Sequence, residues 1–454
     1  MSESKAPEPT MEDMETASIP RLLVRYSLPS IVGLLAIAFY ETVDRIFVGQ
    51  FVGNDGLTVM AGGMAFVVLL GSVCIMLRVG ASSVLARYLG QGDTKSAEKV
   101  IGNAFALFVG VGLVLTVVSH LLAEPIVIVS GGSTDMLQET ILYVKIIAVG
   151  APLLFVSNGA NALLRATGAP RKGLFLIIGS CLANVILDAL FVGCLDWGVP
   201  GAAWATVLSQ GLGAAYGLFC FCRPGHIIRL KAKELWLHFP LVRELTGVGI
   251  AYAMFEINFM IVVAITNNML VSYGSDLALA SIAVISSCLT FLYMPMTGLD
   301  EGLQPVIGYN YGAGNRSRVR RIILYALAAG MAFFVVSFLA IQFGAEYIVA
   351  VFVDDNPEFL DMTARALRIA FAVAPMMAFM IIIPGVLSAL GEVKYNVILS
   401  VGIQLLVQIP ALFILPRFFG TDGIWMSFPL VDIVAALTGL FFLLKSLKRH
   451  GLMA

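Results

Sequence analysis

The stretch that decides the fold is FYETVDRIF, residues 39–47, which places charged side chains inside an apolar segment. That segment runs from Leu28 to Val52 and is long enough to cross a lipid bilayer, which takes about 20 helical residues. A carboxylate at the centre of such a helix costs about 2.5–3.5 kcal/mol on insertion, and this segment carries two. Glu41 and Asp44 are three residues apart, so we expect them to share one helix face and to line one cavity.

Two interpretations of these acids are open at the level of the sequence. Arg45 follows Glu41 by four residues, so the two side chains can form a structural ion pair that neutralises the acid. Alternatively, ionisable residues inside a membrane mark the path of an ion or a substrate.

The composition is that of a polytopic membrane protein. Of 454 residues, 59% are hydrophobic and 13% are charged, and the mean hydropathy is +0.92, whereas soluble proteins carry about 25% charged residues. Residues 1–20 are polar and acidic with no apolar core, so we expect a disordered cytoplasmic tail and not a signal peptide. The six cysteines lie in or beside apolar runs without metal-site spacing, and we interpret them as packing residues.

Twelve apolar segments are predicted to span the membrane, so the expected fold class is an all-α polytopic membrane protein. Their predicted bounds are 23–52, 57–89, 100–130, 138–164, 171–194, 200–222, 246–273, 278–311, 320–352, 363–389, 393–416 and 421–444. Pro295, Gly298, Gly302 and Pro305 fall in the eighth segment, which we therefore expect to be broken.

Basic residues accumulate on one side of these segments. They lie in every second connection and in the C-terminal tail: Arg87, Lys95, Lys99, Arg165, Arg171, Lys172, Arg223, Arg229, Lys231, Lys233, Arg316, Arg318, Arg320, Arg321, Lys445, Lys448 and Arg449. The alternate connections hold one basic residue, Arg417. By the positive-inside rule, we expect both termini to be cytoplasmic in a cell inner (plasma) membrane.

The chain also repeats itself. GASSVLARYLGQGD, residues 80–93, aligns with GLQPVIGYNYGAGN, residues 302–315, at an offset of 222 (302 − 80). LLRATG, residues 163–168, recurs as VLSALG, residues 386–391, at an offset of 223 (391 − 168). Six segments per repeat restore the orientation, so we expect two parallel repeats with substrate held between them. The predicted parts are an N-terminal six-helix lobe at 21–222, a basic cytoplasmic linker at 223–245, a C-terminal six-helix lobe at 246–446 and a cytoplasmic tail at 447–454.

Four oxygen-bearing side chains are predicted to converge in the N-terminal lobe. At 1.5 Å per helical residue, Asp44 lies roughly 13 Å below the outer end of the first segment and Asp188 roughly 9 Å down the fifth. Asn184 lies one turn deeper on the same face as Asp188, and Thr206 reaches a similar depth from the sixth segment. This set could coordinate Na⁺, or the carboxylates could share one proton. Ordinary interhelical hydrogen bonding is a third possibility for Asn184 and Thr206.

The C-terminal lobe carries further intramembrane acids. Glu256 in the seventh segment and Asp300 and Glu301 in the eighth are candidates for a substrate cavity, and Asp432 lies in the twelfth. Five methionines could form an adaptable drug-binding surface or fill gaps in the packing: Met294, Met296, Met376, Met377 and Met380.

The sequence carries no pattern typical of an enzyme. GQGDTKS, residues 90–96, lacks the Gly-Lys-Ser/Thr ending of a phosphate-binding loop, and the four histidines are scattered. We therefore expect transport driven by a Na⁺ or H⁺ gradient, without a cofactor. The expected partners are small amphipathic molecules and the lipid bilayer, with no nucleic acid, and we expect a monomer.

These features together resemble the MATE (multidrug and toxic compound extrusion) family. The resemblance covers nearly the whole chain after residue 20, and its most specific part is NVILD, residues 184–188, followed by PGAAWAT, residues 200–206. LDEG, residues 299–302, looks like the bacterial MepA-type branch.

The resemblance implies export of bulky, often cationic, amphipathic compounds in exchange for Na⁺ or H⁺, by rocking of two six-helix bundles. It also implies that Asp44, Asn184, Asp188 and Thr206 form the cation site, to which we add Glu41 as a candidate. Glu256 looks like an acid of the NorM-type branch, but this chain lacks the acid that branch carries in its tenth span. A flippase for a lipid-linked or polyisoprenoid precursor is the alternative function, although such anionic cargo favours a cationic cavity.

The predicted sidedness can be tested with introduced cysteines. A cysteine at Ser133 should react with an impermeant thiol reagent added outside intact cells, and a cysteine at Asn315 should not. The opposite pattern of labelling would overturn the predicted topology.

Overall fold

The computed structural model describes residues 11–129, 135–224, 227–273, 276–352 and 357–453, so Ser133 lies outside the described residues. Within these ranges, ten helices are long and apolar enough to cross a membrane, and two bent helix pairs bring the number of spans to as many as twelve. The predicted all-α fold class is confirmed. Helices are expected here because a bilayer offers no water to satisfy exposed backbone groups.

We number the spans 1 to 12 in chain order. Their bounds are Ile19–Phe51, Asn54–Gly90, Thr94–Leu121, Leu137–Val149 with Ala151–Ala166, Pro170–Cys194, Gly198–Cys222, Phe239–Tyr273, Asp276–Gly312, Arg316–Ala350, Pro357–Ala370 with Ala374–Leu390, Val393–Phe419 and Thr421–Arg449. Three shorter helices are Met11–Thr16, Ala123–Val129 and the 3₁₀ turn Ala232–Leu235.

The breaks lie in spans 4 and 10, and the prediction of a broken span 8 was wrong. Span 8 is one continuous helix that contains Pro295 and Pro305. Spans 4 and 10 bend by 46° and 44° between their two segments. In both, the second segment begins with an Ala-Pro pair, at residues 151–152 and 374–375. Proline lacks a backbone N–H, so it costs little in a first helical turn and readily starts a new segment.

The chain forms two compact units that divide spans 7 and 8. Unit 1 comprises Met1–Ala253 and Gly308–Gly314, and unit 2 comprises Met254–Ile307 and Asn315–Ala454. The first part of span 7 and the last turns of span 8 thus belong with the first six spans. The boundaries of the two predicted lobes stay a prediction.

Close backbone contacts explain why these helix ends belong to unit 1. A Cβ added to Gly90 would lie 1.9 Å from the carbonyl oxygen of Tyr309, and one added to Gly312 would lie 2.1 Å from that of Arg87. The two contacts are equivalent, since 309 − 87 and 312 − 90 both equal 222. The two contacts are thus related by the same repeat that is seen in the sequence. Both contacts require glycine, because any side chain would separate the helices.

Span 7 begins at Phe239, earlier than predicted, and its first turns are tied to span 2. Nη2 of Arg87 donates a hydrogen bond to Oε1 of Glu244 at 2.8 Å, and the Tyr88 hydroxyl donates to the other carboxylate oxygen at 3.4 Å. A Cβ on Gly80 would lie 1.9 Å from the carbonyl oxygen of Leu245. The end of span 2 thus packs directly on the start of span 7.

The segment predicted as a linker is held against span 3 by one buried side-chain amide, that of Asn103. Nδ2 of Asn103 donates hydrogen bonds to the carbonyl oxygens of Glu234 and Trp236, and its Oδ1 accepts one from the His238 N–H at 2.7 Å. Asn103 is fully buried. A single side chain therefore satisfies three backbone groups that would otherwise lack partners.

The described parts of both termini include helical residues. Residues 11–16 are helical, Met14 is buried, and Arg25 pairs with Asp13 at 3.0 Å. These contacts correct the prediction of disorder for residues 11–20, whereas residues 1–10 lie outside the described residues. At the other end, span 12 continues to Arg449 and Leu452 is buried. The predicted tail at 447–454 thus starts within a helix.

Replacing Asn103 with Leu should release the anchored segment. Each backbone group that loses its partner costs about 1–3 kcal/mol, so we expect cleavage by trypsin at Lys231 and Lys233 to be at least about tenfold faster. The measurement is limited proteolysis of the purified protein. As a control, Asn158→Leu removes only a bond to the Leu154 carbonyl within its own helix, and it should leave cleavage unchanged. Equal cleavage in both variants would contradict the anchoring role.

Candidate functional site

Asp188 lies where span 5 changes its helical form. The α-helix ends at Asp188 and continues as a π-helical turn over Ala189–Cys194. Single π-helical turns inside α-helices frequently occur at functional sites, because they widen the helix and displace backbone groups from their usual partners. The sequence signal for this turn is weak, since its residues are almost all apolar.

The predicted oxygen cluster is buried and short of hydrogen-bond donors. Asn184 and Asp188 have no exposed surface, and Asp44 is 9% exposed. Oδ1 of Asp44, Oδ1 of Asn184 and both carboxylate oxygens of Asp188 are buried without a hydrogen-bond partner among the described residues. Buried oxygens without a donor cost free energy, so this arrangement of four oxygens favours binding of a cation or a proton.

The structure brings the members of this cluster towards one another. Nδ2 of Asn184 donates a long hydrogen bond to the Thr206 hydroxyl, at 3.5 Å. Asp44 and Asp188 are close enough to interact electrostatically, and spans 1 and 6 both pack against span 5. We call Asp44, Asn184, Asp188 and Thr206 the carboxylate cluster.

Glu41 lies in a different environment from Asp44. Glu41 is exposed and interacts electrostatically with Arg45, which is also exposed. Residues three apart on a helix are separated by about 60° around its axis, which is enough to turn Glu41 out of the buried face that holds Asp44. Arg45 interacts electrostatically with Asp44 as well as with Glu41, so Glu41 differs from Asp44 in its exposure and not in its charged neighbour.

Two tyrosines near Asp44 were not identified from the sequence. Tyr40 and Tyr143 both interact electrostatically with Asp44. Tyr143 is buried and its ring lies against Gly63, where an added Cβ would come within 2.6 Å of the ring. The residue opposite Tyr143 must therefore be small, and nothing in the local sequence pattern links Gly63 to Tyr143.

The predicted substrate acids of unit 2 have different surroundings. Glu256 is half-buried, whereas Asp300 and Glu301 are 6% and 8% exposed. Oδ2 of Asp300 accepts a hydrogen bond from Nε2 of Gln304 at 2.8 Å, and its carboxylate fills the space beside Gly385. Asp300 is thus already engaged in packing and hydrogen bonding, and a substrate role for these acids stays a prediction.

The carboxylate cluster can bind a small hard cation or hold a shared proton. Carboxylate, amide and hydroxyl oxygens are the ligand types of alkali cations, and two acids in low dielectric cannot both ionise cheaply without one. Among the described residues, no group of three or more His, Cys, Asp or Glu side chains is arranged to hold a metal ion.

A duplicated set of membrane-spanning helices with buried intramembrane acids defines a helical membrane transporter. The model of the family described as MatE matches residues 29–190 and 252–414. The two matches begin 223 residues apart (252 − 29), in agreement with the internal repeat. The chain belongs to the MatE family, and the resemblance inferred from the sequence is confirmed.

Curated relatives include bacterial export proteins. The multidrug export protein MepA of Staphylococcus aureus (strain bovine RF122 / ET3-1) is 24% identical over 428 residues, which is 94% of each chain. MepA of Staphylococcus haemolyticus (strain JCSC1435) is 23% identical over 427 residues, again 94% of each chain.

Solved structures show the same fold. One is described as an outward-facing conformation of a multidrug resistance MATE family transporter of the MOP superfamily, with a TM-score of 0.90, 20% identity, and coverage of 99% of this chain and 100% of that one. A second is a MOP superfamily transporter from Pyrococcus furiosus, for which a reverse polarity of the binding pocket suggests a different function. It has a TM-score of 0.89, 20% identity, and coverage of 98% and 99%.

Proposed function

We propose that this protein is a secondary active multidrug antiporter of a bacterial plasma membrane. It exports amphipathic, often cationic compounds and takes up Na⁺ or H⁺ in exchange. Support comes from membership of the MatE family and from relatives named as multidrug export proteins over 94% of the chain.

The observation that carries the coupling role is the set of unpartnered oxygens in the carboxylate cluster. Both oxygens of Asp188 and one each of Asp44 and Asn184 lack hydrogen-bond partners in the described structure. Occupation by Na⁺ or H⁺ relieves the repulsion between the two carboxylates, and its release restores that repulsion. Binding of one cation or proton thus changes the free energy of the carboxylate cluster. Such a site can link an ion gradient to a change of conformation.

The mechanism that fits the duplicated architecture is alternating access by rocking of two six-helix bundles. Parallel repeats related by an axis along the membrane normal commonly work in this way. Within unit 1, the reciprocal contacts of Gly90 and Gly312 hold the last turns of spans 2 and 8 together without side chains between them.

A flippase for an anionic lipid-linked precursor has less support. The intramembrane acids Asp44, Asp188 and Asp432 are all buried, and buried acids disfavour anionic cargo. The proposed substrate path also includes three further acids, because acids favour cationic cargo: Glu256, Asp300 and Glu301.

The coupling role of Asp188 is tested by substituting Asn, which keeps the shape and removes the charge. In vesicles with imposed Na⁺ or H⁺ gradients, Asp188→Asn should abolish gradient-driven efflux of a cationic dye while the protein still inserts and retains dye binding. Wild-type export rates in correctly inserted Asp188→Asn protein would contradict the proposed site.

Thr206→Val distinguishes the two coupling ions because it removes one oxygen at nearly constant volume. If Na⁺ drives export, the Na⁺ concentration for half-maximal transport should rise about tenfold, as expected for loss of one ligand. If H⁺ drives export, transport should be nearly unchanged, because a proton needs only the carboxylates. The matched control is Thr58→Val, since the exposed Thr58 hydroxyl bonds only within its own helix.

A further inference from the structure

Span 11 carries a buried polar stripe that the coupling role does not use. Its members are Asn396, Ser400, Gln404 and Gln408, which are 1%, 8%, 3% and 7% exposed. In a regular helix of 3.6 residues per turn, side chains four residues apart drift steadily around the axis. Here Ile398–Gly402 and Gln404–Gln408 are π-helical, and their wider turns keep the four side chains close to one face.

Only the first half of the stripe is satisfied internally. Nδ2 of Asn396 donates to the Ser388 hydroxyl at 2.7 Å, and the Ser400 hydroxyl donates to Oδ1 of Asn396 at 3.3 Å. Oε1 of Gln404, in contrast, is buried without a hydrogen-bond partner among the described residues. The middle of span 11 therefore presents an acceptor that requires a positive or donating group.

Asp432 of span 12 lies at the same depth along the helix pair as Gln404 and Gln408 of span 11. Span 12 packs antiparallel to span 11, and a Cβ on Gly439 would lie 3.5 Å from both methyl carbons of Leu399. Asp432 lies seven residues before Gly439, whereas Gln404 and Gln408 lie five and nine residues after Leu399. The acid is thus placed between the levels of the two amides.

The described residues supply no counter-charge to the carboxylate of Asp432. It is 8% exposed, and within the described chain it forms no hydrogen bond or ion pair. The contrast with Asp300 of span 8 is informative, because that carboxylate accepts from Gln304 and packs against Gly385. A buried carboxylate without compensation carries a large desolvation cost, which a bound cation offsets.

The surroundings of Asp432 suit an organic cation. Tyr293 of span 8 is near enough to interact electrostatically with Asp432, and its hydroxyl contacts Sδ of Met380 in span 10 at 3.8 Å. Aromatic rings attract organic cations, and methionine adapts to apolar groups of varied shape. From span 7, Nδ2 of Asn258 donates to the Val401 carbonyl of span 11 at 3.4 Å.

We propose that Asp432, Gln404, Gln408 and Tyr293 form a subsite for the charged group of an organic monocation. This inference rests on the proposed export function and names the part of unit 2 that recognises charge on the cargo. The Asp432 carboxylate supplies the charge, the Gln404 carbonyl oxygen supplies a dipole, and the Tyr293 ring supplies an apolar face. Substrate sites near the middle of irregular membrane helices are typical of transporters built from repeats.

The test compares two probes of nearly equal shape, N-methylacridinium and acridine, at a mildly alkaline pH where acridine is neutral. Binding is measured by fluorescence titration of the purified full-length protein in detergent. Asp432→Asn should weaken binding of N-methylacridinium about tenfold or more, and binding of acridine less than about twofold. Asp196→Asn is the matched control and should change neither affinity, because Asp196 is exposed and Asn tolerates its positive φ of 57°.

A second variant separates charge recognition from structural damage. Asp432→Asn combined with Gln404→Glu moves the carboxylate to the facing helix, and it should restore N-methylacridinium binding to within about threefold of the wild-type value. Equal loss of both probes in Asp432→Asn, or no recovery in the double variant, would overturn the proposal.

The coupling ion is the other possible occupant, and a distinct result would identify it. If Asp432→Asn left probe selectivity intact but altered the Na⁺ or pH dependence of export, the substrate subsite would be disproved. The binding test of the subsite needs no ion gradient. A failure of the proposed export function would appear in a different experiment, as absence of dye export by the wild-type protein under either gradient.

Discussion

Buried carboxylate oxygens without hydrogen-bond partners are the constraint on which the rest of this structure depends. Both oxygens of Asp188 lie among helices with no donor from the described residues, and one oxygen of Asp44 shares this condition. Membrane-spanning helices satisfy their own backbone groups, but they offer nothing to a free carboxylate. A cation or proton at the carboxylate cluster would offset this cost, and the proposed coupling role depends on that effect.

The internal repeat places equivalent structural features in both halves of the chain. Equivalent glycines, Gly90 and Gly312, each lie against the backbone of the helix end from the other repeat, where any side chain would prevent the contact. Spans 4 and 10 occupy equivalent places and bend by similar angles, and in each the segment after the bend begins with an Ala-Pro pair. The halves differ in chemistry, since Asp44 and Asp188 lie in the first and Asp432 lies in the second. We propose a different cation for each: the coupling ion at the carboxylate cluster and the cargo at Asp432.

The sequence predicted the spans well because hydropathy over about 20 residues is a strong signal. It also placed Asn184 near Thr206, since depth along two adjacent helices follows from residue counts. The bends were not predicted because the break was expected at the prolines inside span 8. The actual bends lie where a proline starts a new helical segment, in spans 4 and 10. Tyr143 and Gln404 were missed for another reason, namely that the direction of a side chain depends on packing and on π-helical turns, neither of which hydropathy reports.

Infrared difference spectroscopy of the carboxyl groups tests the central claim most directly. Purified protein would be exposed alternately to Na⁺-containing and Na⁺-free buffer, and then to a step in pH, while carboxyl and carboxylate stretching bands are recorded. We predict a buried-carboxyl band that changes with one of these steps in the wild-type protein and is absent from Asp188→Asn. A spectrum that responds to neither ion, or a response unchanged by Asp188→Asn, would contradict the assignment of the carboxylate cluster as the coupling site.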